Sequence, residues 1–165
     1  MNLMPLDKDP QFAAMYLSDV YVRKLTLEVA QMMCDCLRVY GLDPPYKKYN
    51  LNHPHTKWVR ETKGNYAWTL RYLRSLCNEH RIRYAKQHSV EYIGLLYWLE
   101  NTSLPEALEK KIIHHDSAPA SQEGLGPGRS DKHLQAVLYP GEGEKQRLDE
   151  QRRTRVVHAR SDDKT

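Results

Sequence analysis

The sequence predicts a mainly α protein: a compact single-domain helical bundle with a short extended N-terminus and a disordered C-terminal tail. Three observations carry that prediction. Apolar residues recur at steps of three and four through the first hundred positions, the spacing of one helix face. Gly and Pro interrupt this pattern at intervals a bundle of short and medium helices needs. After about His115 the composition shifts to Ser, Ala, Pro, Glu and Gly and then to charge, with almost no core-forming residues.

Residues 1–10 alternate apolar and polar and close on Asp9-Pro10, which predicts an extended lead-in. From Gln11 to about Tyr40 the pattern is helical, with a restart at Ser18 or Asp19, both good N-cap residues. Val22, Leu25, Val29, Met32, Met33 and Cys36 form its buried stripe. Gly41 ends it and Pro44-Pro45 keeps it from resuming. Residues 42–57 are turn-rich and predict a long ordered loop, followed by a helical turn from Trp58 to Glu61. A helix then runs from Gly64-Asn65 to about Tyr84, with Tyr66, Leu70, Leu73, Leu76, Cys77 and His80 inward. A last helix, capped by Ser89, spans about 89–100 with Val90, Ile93, Leu96, Tyr97 and Leu99 inward. The domain is therefore placed at 1–115 and the disordered tail at 116–165, where only Leu134 to Tyr139 resembles a segment able to dock. Unordered chain is expected there because too little apolar area is available to offset the entropy of ordering.

The chain of 165 residues carries a net charge of +4, and 116–165 holds nine Lys/Arg and nine Asp/Glu. The whole positive excess therefore lies in the first 115 residues, which is compatible with a nucleic-acid partner. The longest apolar run, Ile93 to Leu99, is about a third of a membrane span. With no basic leader or long apolar region at the front, the expected location is cytoplasmic. Cys34, Cys36 and Cys77 are an odd set without zinc-finger spacing, so buried inert thiols are expected and no metal.

Chemistry concentrates between Tyr46 and Arg74. Lys47, Lys48, Lys57, Arg60 and Lys63 face a single acid, Glu61, over residues 46–63, interleaved with Tyr46, Tyr49 and Trp58 and followed by Tyr66 and Trp68. Cations neutralise phosphates and aromatic faces stack on unpaired bases, so the stretch suits a surface that grips DNA and accepts an extruded nucleotide. The same residues also suit a solvated loop with Trp58 and Trp68 filling the core. His53 and His55 flank Pro54, where loop hydrogen bonding is expected over metal binding. His114-His115 reads as solvated. Asp19 with Arg23, and Lys24 with Glu28, are one helical turn apart and make either surface ion pairs or a carboxylate-and-cation cluster beside the N-terminal amine.

Four segments carry a resemblance: Asp19-x-x-Val22-x-Lys24-x-x-x-Glu28-x-Ala30-Gln31; Pro45-Tyr46-Lys47; Asn52-His53-Pro54-x-x-x-Trp58-x-Arg60-Glu61-x-x-x-Asn65-Tyr66-x-Trp68; and Arg83-Tyr84-x-Lys86-x-His88. Over residues 1–100 the chain resembles a family of short phage and bacterial proteins, similar in turn to the pyrimidine-dimer DNA glycosylases of the endonuclease V type. The resemblance implies a DNA-repair enzyme, monomeric, without cofactor or metal. Such an enzyme flips a nucleotide from duplex DNA and forms a Schiff base between an amine and the sugar C1′, with AP-lyase activity. By position it implies Asp19 as the carboxylate and Lys24 as a helix cation. The amine falls to Met1, since bulky Asn2 resists removal of the initiator Met, or to a buried Lys24. Lys47, Asn52, His53, Lys57, Trp58, Arg60, Asn65, Tyr66 and Trp68 would meet DNA. A non-catalytic DNA-binding protein and a phage protein-interaction module are the competing readings.

Overall fold

A computed structural model describes residues 2–109, so the expectations for Met1, His114-His115, the tail and Leu134 to Tyr139 lie outside the described residues. Seven helices follow in order: α1 Pro10–Met15, α2 Asp19–Val39, α3 Pro54–Val59, α4 Lys63–Tyr84, α5 Ser89–Tyr92, α6 Leu95–Asn101 and α7 Glu106–Glu109. No strand occurs among the described residues, and the lead-in at 2–8 is irregular chain. The two long helices, α2 and α4, pack on one another; α1 lies on α4, and α3 bridges the two long helices. No helix among the described residues is long and apolar enough to cross a membrane.

Local chemistry explains each boundary. Asp9 caps α1 by accepting the N–H groups of Gln11 and Phe12, and Pro10 at the first position loses no hydrogen bond. Ser18 precedes α2 in extended backbone, and Gly41 at φ +85° stops the chain that follows. The six stripe residues of α2 are at most 1% exposed. Helix α4 starts at Lys63, one residue before Gly64, because the Thr62 hydroxyl accepts the Asn65 N–H at 3.0 Å.

The last helix departs most from the sequence expectation. It breaks at Gly94, whose φ of +75° no helix interior contains, into α5 and α6. The break rotates the second half, so Val90, Leu96 and Leu99 remain buried while Ile93 and Tyr97 are 54% and 71% exposed. Its cap is His88, not Ser89: Nδ1 of His88 accepts the Val90 N–H at 3.2 Å, and Nε2 donates to the Arg23 carbonyl at 3.2 Å. Both bonds together require the neutral ring, protonated on Nε2.

Burial, reinforced by the neighbouring His80, pushes the His88 pKa below the ordinary 6.5, against the Arg23 carbonyl and Glu91. A group that resists its proton in the fold leaves stability complete above pH 6.5 and erodes it as pH falls towards the folded value. His53 and His55 shift in the same direction, chiefly through burial. The melting temperature is therefore expected to drop between pH 7.5 and 5.5. A flat or rising profile over that interval would contradict this account.

Two sets of charges hold the bundle's outside. Arg83, on the last turn of α4, donates to the carbonyls of Met15 (2.7 Å) and Leu17 and pairs with Asp19 and buried Glu79, each at 3.1 Å. Along the same helix Lys63 pairs with Glu109 at 3.7 Å, Arg74 with Glu100 at 2.7 Å and Arg81 with Glu91. The cations of α4 thus meet a row of carboxylates from α5 to α7.

Candidate active site

The N-terminal segment is pinned before it reaches α1. Leu3 is completely buried in the core, and Met4 turns through the left-handed region at φ +45° while its N–H bonds to Asn2 Oδ1 at 3.1 Å. A non-Gly residue there costs about 1 kcal/mol, held by burial of Leu3 and by bonds further along. Trp68 Nε1 donates to the Lys8 carbonyl at 2.7 Å, and the Tyr72 hydroxyl lies 3.5 Å from the Met4 carbonyl. The result is that the backbone N–H of Asn2 lies 3.0 Å from Glu28 Oε2, on the middle of α2. Lys24, one turn earlier, places its ammonium 3.8 Å from the same carboxylate. Glu28 is sheltered, its side chain 18% exposed, whereas that of Lys24 is 63% exposed.

The loop at 42–53 is laid along the same helix by a buried acid. Asp35 is fully buried, pairs with Arg38 at 3.1 Å and accepts the N–H groups of Tyr49 (3.2 Å) and Asn50 (2.6 Å). Arg60 fastens the loop from its other end by donating to the Leu51 carbonyl. His53 follows as the cap of α3, its Nδ1 accepting the His55 N–H at 3.2 Å. Burial and the positive charge of the chain's N-terminus lower the His53 pKa, and the Glu28 charge opposes them. Glu28 and His53 therefore share one electrostatic neighbourhood, with His55 behind His53, ring centroids 5.3 Å apart.

Among the predicted residues, the structure brings Lys24 and His53 to this site and removes Asp19 from it. Asp19 opens α2, bonds to Arg83 and is 55% exposed on its side chain. Nine residues separate it from Glu28, about 13 Å along the helix axis, so it cannot serve an amine held at Glu28. Glu28, which the sequence offered with Lys24 as part of a carboxylate-and-cation cluster beside the N-terminal amine, is the carboxylate that meets the N-terminal segment, where the resemblance had named Asp19. Its signal was its place one turn after Lys24, on the side of α2 that also holds Asp35.

The aromatic stretch divides. Tyr66 and Trp68 are each 2% exposed and Asn65 8%, so they offer no face to a base. Trp68 packs against Tyr72 at 5.0 Å and edge-on to Trp58 at 6.1 Å, and Asn65 Nδ2 donates to the Trp58 carbonyl at 2.8 Å. These three are supports, and their assignment to DNA contact is corrected on that ground. Lys47, Asn52 and Lys57 are exposed, as is Lys48, and no carboxylate among the described residues pairs with the three lysines. A cleft of about 620 Å³ is lined by Pro54, Lys57, Trp58, Arg60 and Glu61. Thus Trp58 and Arg60 reach the surface only in part.

No group of three His, Cys, Asp or Glu side chains among the described residues is arranged to hold a metal ion. All three cysteines are buried free thiols, and burial pushes Cys34 up to about 12, where the thiolate is scarce at neutral pH.

The chain matches no curated protein and no solved structure. It does match a family model, pyrimidine dimer DNA glycosylase, over residues 1–92. That span includes the pinned N-terminus, Lys24, Glu28, the loop and His53, and on it the chain belongs to the pyrimidine dimer DNA glycosylase family.

Proposed function

We propose that this protein is a DNA-repair glycosylase with AP-lyase activity, in which an amine at the start of the chain attacks the deoxyribose C1′ and Glu28 handles the protons. The observation that carries this reading is the 3.0 Å contact between the Asn2 N–H and Glu28 Oε2. It sets a sheltered carboxylate beside the beginning of the polypeptide, where an α-amine has an ordinary pKa of about 7.7–8.0 and so a useful neutral fraction.

In the reaction the amine nitrogen forms a bond to C1′ as the glycosidic bond breaks, and its electron pair leaves with the base. Loss of the amine proton to Glu28 and opening of the sugar ring at O4′ leave an imine. Removal of a C2′ proton then expels the 3′ phosphate. Glu28, close to the amine, is suited to accept the first proton and return it to the ring oxygen. Lys24 remains a cation for phosphate, with the exposed lysines 47, 48 and 57 extending the same role. The substrate is duplex DNA with the reacting nucleotide turned out of the stack, and the cleft beside Trp58 is open to receive part of it.

Borohydride trapping tests this reading. Protein incubated with duplex carrying an abasic site or a thymine dimer should become covalently attached on reduction, and peptide mapping should place the adduct on the first peptide. An adduct on Lys24 would move the nucleophile there. Salt-dependent binding without any adduct would favour the non-catalytic DNA-binding reading, which the unpaired lysines support equally well.

A further inference from the structure

We propose that His53 donates a hydrogen bond from Nε2 to the departing base during glycosidic cleavage, an inference that rests on the reaction assigned above and adds a residue to it. Three observations lead to it. First, His53 has one ring nitrogen committed: Nδ1 accepts the His55 N–H as the cap of α3, which places the proton of the neutral ring on Nε2. Second, Nε2 has no partner among the described residues, and the ring is only partly buried, so this donor remains available to a ligand. Third, His53 stands in the field of the groups assigned to the amine chemistry, since Glu28 and the chain's N-terminus are the charges that act on it from outside its own helix.

The chemistry needs such a donor. As the bond between C1′ and the pyrimidine N1 breaks, the electron pair spreads onto the base, and its O2 becomes the site of developing negative charge. Of the groups around the site, Glu28 is an acceptor, and the Lys24 ammonium is turned to Glu28. Among these side chains His53 alone presents an N–H whose direction is set by a second hydrogen bond. Burial and the N-terminal charge favour its neutral form, with Glu28 opposing and His55 adjoining. A neutral imidazole with a fixed N–H is an effective electrophile for a developing oxyanion. The proton stays on Nε2 as a hydrogen bond, the departing base finally takes its proton from solvent, and the amine proton carried by Glu28 goes to the ring oxygen.

A preformed abasic site has no base left to release, so the two substrates separate this role from the amine chemistry. His53→Asn and His53→Ser both retain an oxygen able to cap α3 and remove the imidazole donor. Single-turnover strand cleavage would be measured on a thymine-dimer duplex and on the same duplex carrying an abasic site, with melting curves to verify the fold. The expected result is a loss of about 10²-fold on the dimer substrate with borohydride trapping and cleavage at the abasic site retained. Equal loss on both substrates, or no loss on either, in a folded variant overturns the role of His53. Wild-type protein inert on both substrates would instead overturn the enzymatic reading and the inference with it.

Discussion

Glu28→Gln should abolish most catalysis without weakening the hold on DNA. The glutamine amide oxygen can still accept the Asn2 N–H that now lies 3.0 Å from Oε2, so the N-terminal segment keeps its place. What disappears is a proton acceptor beside the amine, and removal of a positioned general base costs roughly 10²–10⁴-fold in rate. Affinity for duplex DNA should stay level or rise, because one negative charge facing phosphate has gone. The control is Asp19→Asn, which alters a carboxylate bonded to Arg83 rather than one beside the chain's start. If Asp19→Asn silences trapping and Glu28→Gln leaves it intact, the carboxylate has been assigned to the wrong end of α2.

The largest structural effect is expected from Arg83→Leu. Its guanidinium side chain is only 10% exposed and supplies hydrogen bonds to two backbone carbonyls at the end of α1 while facing Glu79, whose side chain is 3% exposed. Replacement strands those carbonyls and takes the guanidinium from a buried carboxylate, a loss of about 3–5 kcal/mol. For a domain of this size that is a fall in Tm on the order of 20 °C. Arg74→Leu is the comparison, since its pair with Glu100 is solvent-facing, with 65% of the Arg74 side chain exposed, and should cost under about 1 kcal/mol. Similar melting curves for the two variants would mean that Arg83 is no more than a surface cation.

Most helix positions were readable from the sequence because burial repeats with the helix. The α2 stripe is the clearest case, and Gly41 and Asp9-Pro10 mark boundaries through backbone chemistry that acts within a few residues. The last helix was misread for an equally local reason: one glycine rephases everything after it, and Ile93 and Tyr97 keep a helical spacing to residues they no longer share a face with. His88 was passed over as a cap because imidazole is an unusual choice beside an available serine.

The site was harder to read, since its defining contact joins Asn2 to Glu28 across 26 positions. No period predicts that contact; it depends on Leu3 being drawn into the core and on the turn at Met4. The resemblance pointed to α2 and to Asp19, whereas the contact with the N-terminal segment falls to Glu28 on the same helix. Trp68 and Tyr66 illustrate the opposite difficulty. An aromatic ring next to lysines looks the same in a sequence whether it stacks on a base or fills a core, and only the packing of α1 and α3 on α4 decides it.

The row of carboxylates from α5 to α7 has a consequence beyond holding helices. By pairing with Lys63, Arg74 and Arg81 it offsets the charge along α4, whereas Lys47, Lys48 and Lys57, like Lys8, Arg23 and Lys86, meet no carboxylate among the described residues, so the 47–57 loop keeps a positive field of its own. A body with such a field experiences a torque as it nears a polyanion and arrives already oriented, loop foremost. On the proposed function, search along undamaged duplex would then be sliding on one preferred side.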